Sequence, residues 1–315
     1  MHYVNLEDKA NITKTYKEEG YVIVPNLISK EKIDYFLEGY EKLKKKKFYI
    51  IRAQDTNRPE KLEVNKQGFI EHSIWNPHYH VLANKFSDGV YKIITDKGIS
   101  DVLEAISGEP KHTIWQSMFF DKSTGTVAHQ DHYYLDTDPP GGVVGIWVAL
   151  EDIDEECGPF YVYPTTHLGV IANREAEHNE DYVGAISNAL AYKDYKKVDC
   201  TVKKGDVIFW HSCTIHGSNE NKNPMRSRKS ITGHYFPNSF NKLGTMAHGY
   251  IQVDPTMPTI NPAIDQWKKS SLEKHVRHLR YGVRYFLNSL SKKQVKVEMK
   301  TIDGEYQGKR YEKKK

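Results

Sequence analysis

The sequence predicts a mainly β protein with flanking helices, built on a double-stranded β-helix core of the jelly-roll, cupin-like type. Three observations carry this expectation. Between Thr113 and Pro237, eight short runs rich in β-branched and aromatic residues are separated by Gly and Pro clusters, and such spacing argues for a sandwich or barrel. His129-Gln130-Asp131 and a distant His216 form a donor set of the kind that double-sheet jelly rolls hold. Helical periodicity is confined to the two ends of the chain.

Taken in order, residues up to about Glu19 read as a polar helix stopped by Gly20, and Tyr21–Val24 as a strand ended by Pro25. Ser29 caps a helix whose Ile33, Phe36, Leu37, Tyr40 and Leu43 fall at helical spacing. Residues 1–112 are thus a scaffold for the core at 113–237. The predicted strands are 113–120, 127–135, 143–150, 160–163, 198–202, 206–210, 214–218 and 230–236. Residues 166–197 interrupt them, and an insertion of that length is expected to be a lid or binding segment. A helical region at 238–290 carries the stripe Leu272, Val276, Leu279, Val283, Phe286 and Leu290, expected to pack on the outside of a sheet. Residues 291–315 form a basic tail, read as a solvated terminus. No linker divides the chain, so 1–315 is expected to be one domain.

The segment from Lys292 to Lys315 carries nine basic and four acidic residues, a net of +5 against +4 for the whole chain. The remainder is close to neutral, so no nucleic-acid surface is expected. Cys157, Cys200 and Cys213 are odd in number and widely spaced, which suggests no disulfide framework and fits a reducing compartment. No apolar run approaches the ~20 residues that span a bilayer, and the N-terminus has no apolar signal core. The expectation is a cytoplasmic protein, monomer or homodimer, that acts on a small molecule without nucleic-acid or membrane partners.

The chemistry rests on His129, Asp131 and His216. Residues i and i+2 of a strand point the same way, so His129 and Asp131 are expected to chelate one ion from a single strand. His216 lies 85 residues beyond Asp131 and must come from another strand brought alongside. With 15 histidines in the chain, a His-x-Asp triplet alone is weak. Two imidazoles and one carboxylate leave part of an octahedral ferrous ion open, which suits oxidation with O2 better than a structural metal. Trp210, Ser212, Thr214, His216 and Ser218 share parity, so one strand is expected to present His216 and Ser218 to the same cavity. Arg228 suits a dicarboxylate, because its planar fork makes two parallel charge-assisted hydrogen bonds. Arg226 has the same parity but follows Pro224-Met225, where a loop is expected.

From Tyr21 to Pro237 the chain resembles the phytanoyl-CoA dioxygenase family of Fe(II)- and 2-oxoglutarate-dependent oxygenases. Gly20-Tyr21-Val22-Ile23-Val24 is similar to the family's N-terminal strand, and His129-Gln130-Asp131 to its first metal motif. Gly205-Asp206-Val207 with Thr214-Ile215-His216-Gly217-Ser218 is similar to its second, and Arg228-Lys229-Ser230-Ile231 to the start of its last core strand. The resemblance implies that His129, Asp131 and His216 hold Fe(II), and that Arg228 meets the distal carboxylate of 2-oxoglutarate. It also implies Trp147, Ser218 and Met118 around that co-substrate, with Gln130 nearby and Arg52 as a further basic contact.

The implied reaction is oxidative decarboxylation of 2-oxoglutarate to succinate and CO2, coupled to hydroxylation of a substrate C–H. Desaturation or oxidative ring closure in biosynthesis would use the same residues. Halogenating relatives have a small residue in place of the carboxylate, so Asp131 argues against halogenation. A small polar metabolite or natural-product intermediate is the expected substrate, with Tyr133, Tyr134, His80 and Arg174 as candidate contacts. His72, His78 and His80 form a second imidazole cluster in the sequence, and Asn173 accompanies Arg174 in the insertion. The chain ends in Lys-Lys-Lys rather than Ser-Lys-Leu, an expectation against peroxisomal acyl-CoA catabolism. Two readings of other classes remain: a cupin-like isomerase or hydrolase using zinc or manganese, and a non-catalytic jelly-roll binding module. Arg228 and Trp147 weigh against the first, and the complete triad against the second.

Overall fold

A computed structural model of the chain describes residues 1–169, 179–243, 259–260, 272–301 and 304–313. The first third runs α1 (Lys9–Glu19), β1 (Tyr21–Val24), α2 (Lys30–Lys44), β2 (Ile50–Ala53), β3 (Arg58–Lys61), β4 (Ile74–Trp75), α3 (Asn84–Ile94) and α4 (Lys97–Ser107). The middle comprises β5 (His112–Phe120), β6 (Asp136–Asp138), β7 (Val144–Ala149), β8 (Phe160–Tyr163), α5 (Thr166–Gly169), α6 (Asn179–Lys193), β9 (Val198–Cys200), β10 (Val207–His211), β11 (Ile215–Ser218) and β12 (Ser230–Pro237). After these come β13 (Asn241–Leu243), β14 (Thr259–Ile260), α7 (Leu272–Ser291), β15 (Lys292–Thr301) and β16 (Gly304–Lys313).

The large antiparallel sheet has the order β1-β10-β7-β12-β5-β4-β2-β3, with β14 also paired to β5, and a smaller sheet has the order β11-β8-β9. The period of two along each strand assigns its side chains to two cores. On β7, Val144, Ile146 and Val148 join Phe36, Phe86 and Phe119 in the core beneath the helices. Trp147 and Ala149 turn the other way and meet Phe160 and Val162 of the smaller sheet. Each fully buried aliphatic or aromatic side chain contributes roughly 1.5–3 kcal/mol, which explains why the central strands are apolar on both faces. Helices α2 and α3 approach closely because each offers a glycine: a Cβ at Gly39 would lie 2.5 Å from the Phe86 nitrogen, and one at Gly89 2.8 Å from Phe36 Cα.

Local signals predicted the edges of several elements well. Gly20 closes α1 in the left-handed conformation at φ 80°, and the Ser29 side chain caps α2 by accepting from the Lys32 N–H. Helices α3 and α4 lay in a region where the sequence suggested only mixed scaffold. The strand predicted at 127–135 is absent; its place is taken by a single antiparallel bridge at His129 and a 3-10 turn at Asp131–Tyr133. The basic tail, read as a plain solvated terminus, forms the antiparallel hairpin β15–β16.

The apolar stripe of α7 does not pack on a sheet. Leu272, Val276, Leu279, Val283, Phe286 and Leu290 are exposed, while Tyr281 is buried and the helix lies against β2 and β3. Arg277 sits over the Tyr79 ring and His278 against Tyr49. Spacing determines which residues share a face, and the neighbours decide which face turns inward. Among the described residues no helix is long and apolar enough to cross a membrane.

Two buried histidines make stability depend on pH. Burial holds His112 down to about 4, and burial with the neighbouring His278 holds His80 down to about 3, against about 6.5 in an unfolded chain. Below that value the unfolded state binds protons that the folded state does not. Stability is therefore complete above about pH 6.5 and falls as pH drops toward the folded values. Between pH 6.5 and 5 each histidine should cost about 2 kcal/mol. Thermal denaturation at pH 7 and pH 5 measures this, and His112→Gln should flatten the dependence; an unchanged slope in that variant would refute the assignment.

Candidate metal centre and active-site cavity

One donor atom each from His129, Asp131 and His216 lies within 4.8 Å of the others. His129 and His216 face each other across the bridge, each N–H donating to the other's carbonyl at 3.0 Å. Gln130 is extended (φ −114°, ψ 131°) before the turn begins at Asp131. One extended residue is enough to put residues 129 and 131 on the same side, so the convergence inferred from a strand holds without one. Trp210 and His216, which share parity, lie on the separate strands predicted at 206–210 and 214–218, and these belong to different sheets as β10 and β11.

The histidine tautomers follow from their partners. Nδ1 of His129 lies 2.8 Å from the Val127 carbonyl, and Nδ1 of His216 lies 2.9 Å from the Thr214 carbonyl. A carbonyl only accepts, so both Nδ1 atoms carry the proton and both Nε2 lone pairs are free for a metal. Asp131 Oδ1 is 3.6 Å from each Nε2. Its Oδ2 accepts from Trp210 Nε1 at 2.8 Å and from His234 Nε2 at 3.1 Å. Burial opposes charge on this carboxylate, but the neighbouring imidazoles of His234, His216 and His129 outweigh it and hold its pKa well below the usual range. Burial lowers His216 to about 3. Burial opposes charge on His129 too, but the Asp131 carboxylate outweighs it and raises its pKa, so a metal bound here would displace that proton.

The backbone of the motif is fixed by a residue the sequence reading did not single out. The Tyr182 hydroxyl, on α6, accepts from the Gln130 N–H at 2.7 Å and donates to the Gln130 carbonyl at 3.0 Å, while its ring stacks on Tyr133 at 3.9 Å. The described part of the insertion therefore braces the metal motif. Gln130, expected near a co-substrate, instead donates its side-chain amide to the Cys213 carbonyl. Tyr133 is committed to Tyr182, and Tyr134 is the tyrosine that lines the cavity.

A cavity of about 580 Å³ opens on the triad. Around one part of it stand Arg228, Trp147, Met118, Ser218 and Phe120. Arg228 is 2% exposed, its guanidinium carbon 5.6 Å from the rings of both Phe120 and Trp147. Burial lowers its pKa to about 10, and its Nε has no hydrogen-bond partner among the described residues. Arg226 pairs with Asp154 at 3.0 Å on the surface, which separates the two arginines that parity left equivalent. Ser218 Oγ accepts from the Thr126 N–H at 2.9 Å.

A polar part of the wall comes from Gln54, Asp55, Asn57 and Gln116, with Trp75 beside them. Arg52 does not line the cavity; it lies over the Trp75 ring at 4.2 Å and donates to Asn57 at 2.7 Å. The histidines of the second sequence cluster are dispersed. His72 bonds Asp55 at 2.8 Å, His78 bonds Ser117 at 2.7 Å, and His80 packs among Tyr49, His278 and Tyr281. Asn173 and Arg174 lie outside the described residues. His234, which the sequence reading missed, shares parity with Arg228 and Thr232 along the last core strand, a signal that was present in the sequence.

The sequence pattern of the phytanoyl-CoA dioxygenase family matches residues 16–230. Peroxisomal phytanoyl-CoA dioxygenase of Bos taurus is 27% identical over 237 residues, covering 70% of this chain and 66% of the relative. The Homo sapiens protein of the same name is 26% identical over 235 residues with the same coverage. The chain thus spans just under two thirds of the length of these relatives. Among solved structures, the non-haem α-ketoglutarate-dependent carbocyclase SnoK from nogalamycin biosynthesis superposes with a TM-score of 0.56 at 19% identity, covering 76% of this chain and 89% of SnoK. EctD from S. alaskensis, solved with 2-oxoglutarate and 5-hydroxyectoine, gives 0.52 at 20% identity over 74% and 77%. These two likenesses support the jelly-roll fold.

Proposed function

The chain belongs to the phytanoyl-CoA dioxygenase family, and on that premise we propose that it is an Fe(II)- and 2-oxoglutarate-dependent dioxygenase hydroxylating a C–H bond of a small polar molecule. The observation that carries the reading is the buried Arg228 in the same cavity as the triad. A guanidinium withdrawn from water with its Nε unpartnered is costly unless an anion meets it. The carboxylate of a dicarboxylic co-substrate supplies that anion.

His129 Nε2, His216 Nε2 and Asp131 Oδ1 would hold Fe(II). The metal, with 2-oxoglutarate and O2, supplies the oxidising power, consuming the co-substrate to succinate and CO2. Arg228 binds the distal carboxylate, the Ser218 hydroxyl is free to donate beside it, and Trp147 and Phe120 keep water from the guanidinium. Tyr134, edge-on to His129 at 6.0 Å between ring centres, bounds the space for the substrate. Gln54, Asp55, Asn57 and Gln116 favour a substrate with hydroxyl or amino groups over a purely aliphatic one. Ring closure is a second reading within the same chemistry, favoured by the likeness to a carbocyclase.

Anaerobic titration of the metal-free protein with Fe(II), then with 2-oxoglutarate, should produce a visible metal-to-ligand charge-transfer band. Its absence, with 2-oxoglutarate unconsumed in air across candidate substrates, would refute the proposal.

A further inference from the structure

A row of residues crosses the large sheet directly beneath the metal motif. Trp210 on β10 pairs with Gly145 on β7, Gly145 with His234 on β12, and His234 with Gln116 on β5. The glycine is required where it stands: a Cβ at Gly145 would lie 2.2 Å from Trp210 Cε2 and 2.3 Å from Cζ2. The Trp210 indole therefore lies over the Gly145 backbone and meets His234 edge-on, ring centres 5.8 Å apart. Both residues are almost wholly buried.

Their N–H groups converge on one atom, Asp131 Oδ2. An ionised carboxylate only accepts, so His234 Nε2 carries the proton. The opposite nitrogen, Nδ1, lies 3.4 Å from the Gln116 amide nitrogen, a donor matched to that tautomer. With two donors on Oδ2, the carboxylate is turned so that Oδ1 alone faces the Nε2 atoms of His129 and His216.

Resting on the metal-centre reading above, we propose that Trp210 and His234, set in place by Gly145 and Gln116, are positioning residues that restrict Asp131 to a single metal-binding oxygen. A carboxylate free to rotate would offer both oxygens and take a position that the co-substrate or dioxygen needs. The clamp thus governs how many sites on the metal stay open. Trp210 and His234 act on the metal through Asp131 Oδ2, although they and Gln116 also line the cavity.

The test uses the full chain with Co(II) alone, whose visible absorption intensity reports coordination number, and then Fe(II) with 2-oxoglutarate. His234→Leu and Trp210→Phe should each lower metal affinity about 10–100-fold, change the Co(II) intensity and shift the charge-transfer band. His234→Gln, which keeps an N–H donor, should recover most of the wild-type spectrum. Gly145→Ala should reproduce Trp210→Phe although both donors remain. Circular dichroism establishes that each variant is folded; if Trp210→Phe or Gly145→Ala is not, the His234→Leu and His234→Gln pair decides. Wild-type affinity and spectra in a folded His234→Leu, or no difference between Leu and Gln at that position, would overturn the proposal. A clamp-sensitive Co(II) spectrum without any Fe(II)·2-oxoglutarate band would leave the clamp standing and remove the dioxygenase reading.

Discussion

Replacing Asp131 with alanine is expected to abolish Fe(II) binding and, with it, 2-oxoglutarate turnover. The loss should exceed the roughly 10–100-fold that follows from disturbing a group that merely supports a ligand, because one of three protein donors disappears. The substitution also strands two buried donors. Trp210 Nε1 and His234 Nε2 both end on Asp131 Oδ2, and a buried donor left without an acceptor costs about 1–3 kcal/mol. The metal-free variant should therefore unfold at a lower temperature than the wild type. Anaerobic Fe(II) titration and a thermal melt on the same sample measure the two effects. Wild-type metal affinity in the folded variant would exclude Asp131 as a ligand.

Arg228 is expected to show the opposite sign for stability and for binding. Removing one partner of a buried charge pair costs about 3–5 kcal/mol, so Arg228→Met should weaken 2-oxoglutarate binding by about two to three and a half powers of ten. In the absence of co-substrate, a guanidinium held at about 10 rather than its ordinary 12.5 costs the fold on the order of 3 kcal/mol. Methionine fills similar space without that cost, so the variant alone should melt at the same temperature or higher. Adding 2-oxoglutarate with Fe(II) should raise the melting temperature of the wild type and leave Arg228→Met nearly unmoved. An equal rise in both would remove Arg228 from the co-substrate site.

The legible part of this protein in its sequence was local. Short runs rich in β-branched and aromatic residues between Gly and Pro clusters identified most core strands, since the central ones are buried on one face by the helices and on the other by the second sheet, and Gly20 and Ser29 marked helix ends through their own backbone and side-chain chemistry. His129, Asp131 and His216 were legible as a candidate metal set because ligation restricts residue type, and a motif with fixed types at fixed spacing stands out. Arg228 shares its alternation with Arg226, and the sequence favoured Arg228 only through the loop expected after Pro224-Met225.

Elsewhere local reasoning misplaced residues whose position depends on what packs against them. Residues 127–135 have the composition of a strand, yet His129 pairs only once before the chain turns at Asp131, where Tyr182 from a helix fifty residues later fixes the backbone of Gln130. The stripe on α7 has the spacing of a buried face but is exposed, because the neighbouring strands took Tyr281 instead. His80 and Arg52, plausible contacts by type, lie outside the cavity lining, the first against Tyr49 and the second against Trp75 and Asn57.

By itself the sequence determined the strand-rich core and pointed to three candidate metal donors and to an arginine suited to a dicarboxylate, because these follow from side-chain chemistry and from the resemblance to the family's motifs. Only the tertiary structure decided that Arg228 is the buried arginine, that Tyr182 braces the motif, and that Trp210 and His234 meet on one oxygen of Asp131. Those outcomes depend on which strands lie side by side. The register that sets Trp210, Gly145, His234 and Gln116 in one row is a property of the folded sheet, whose hydrogen bonds join residues far apart in the chain.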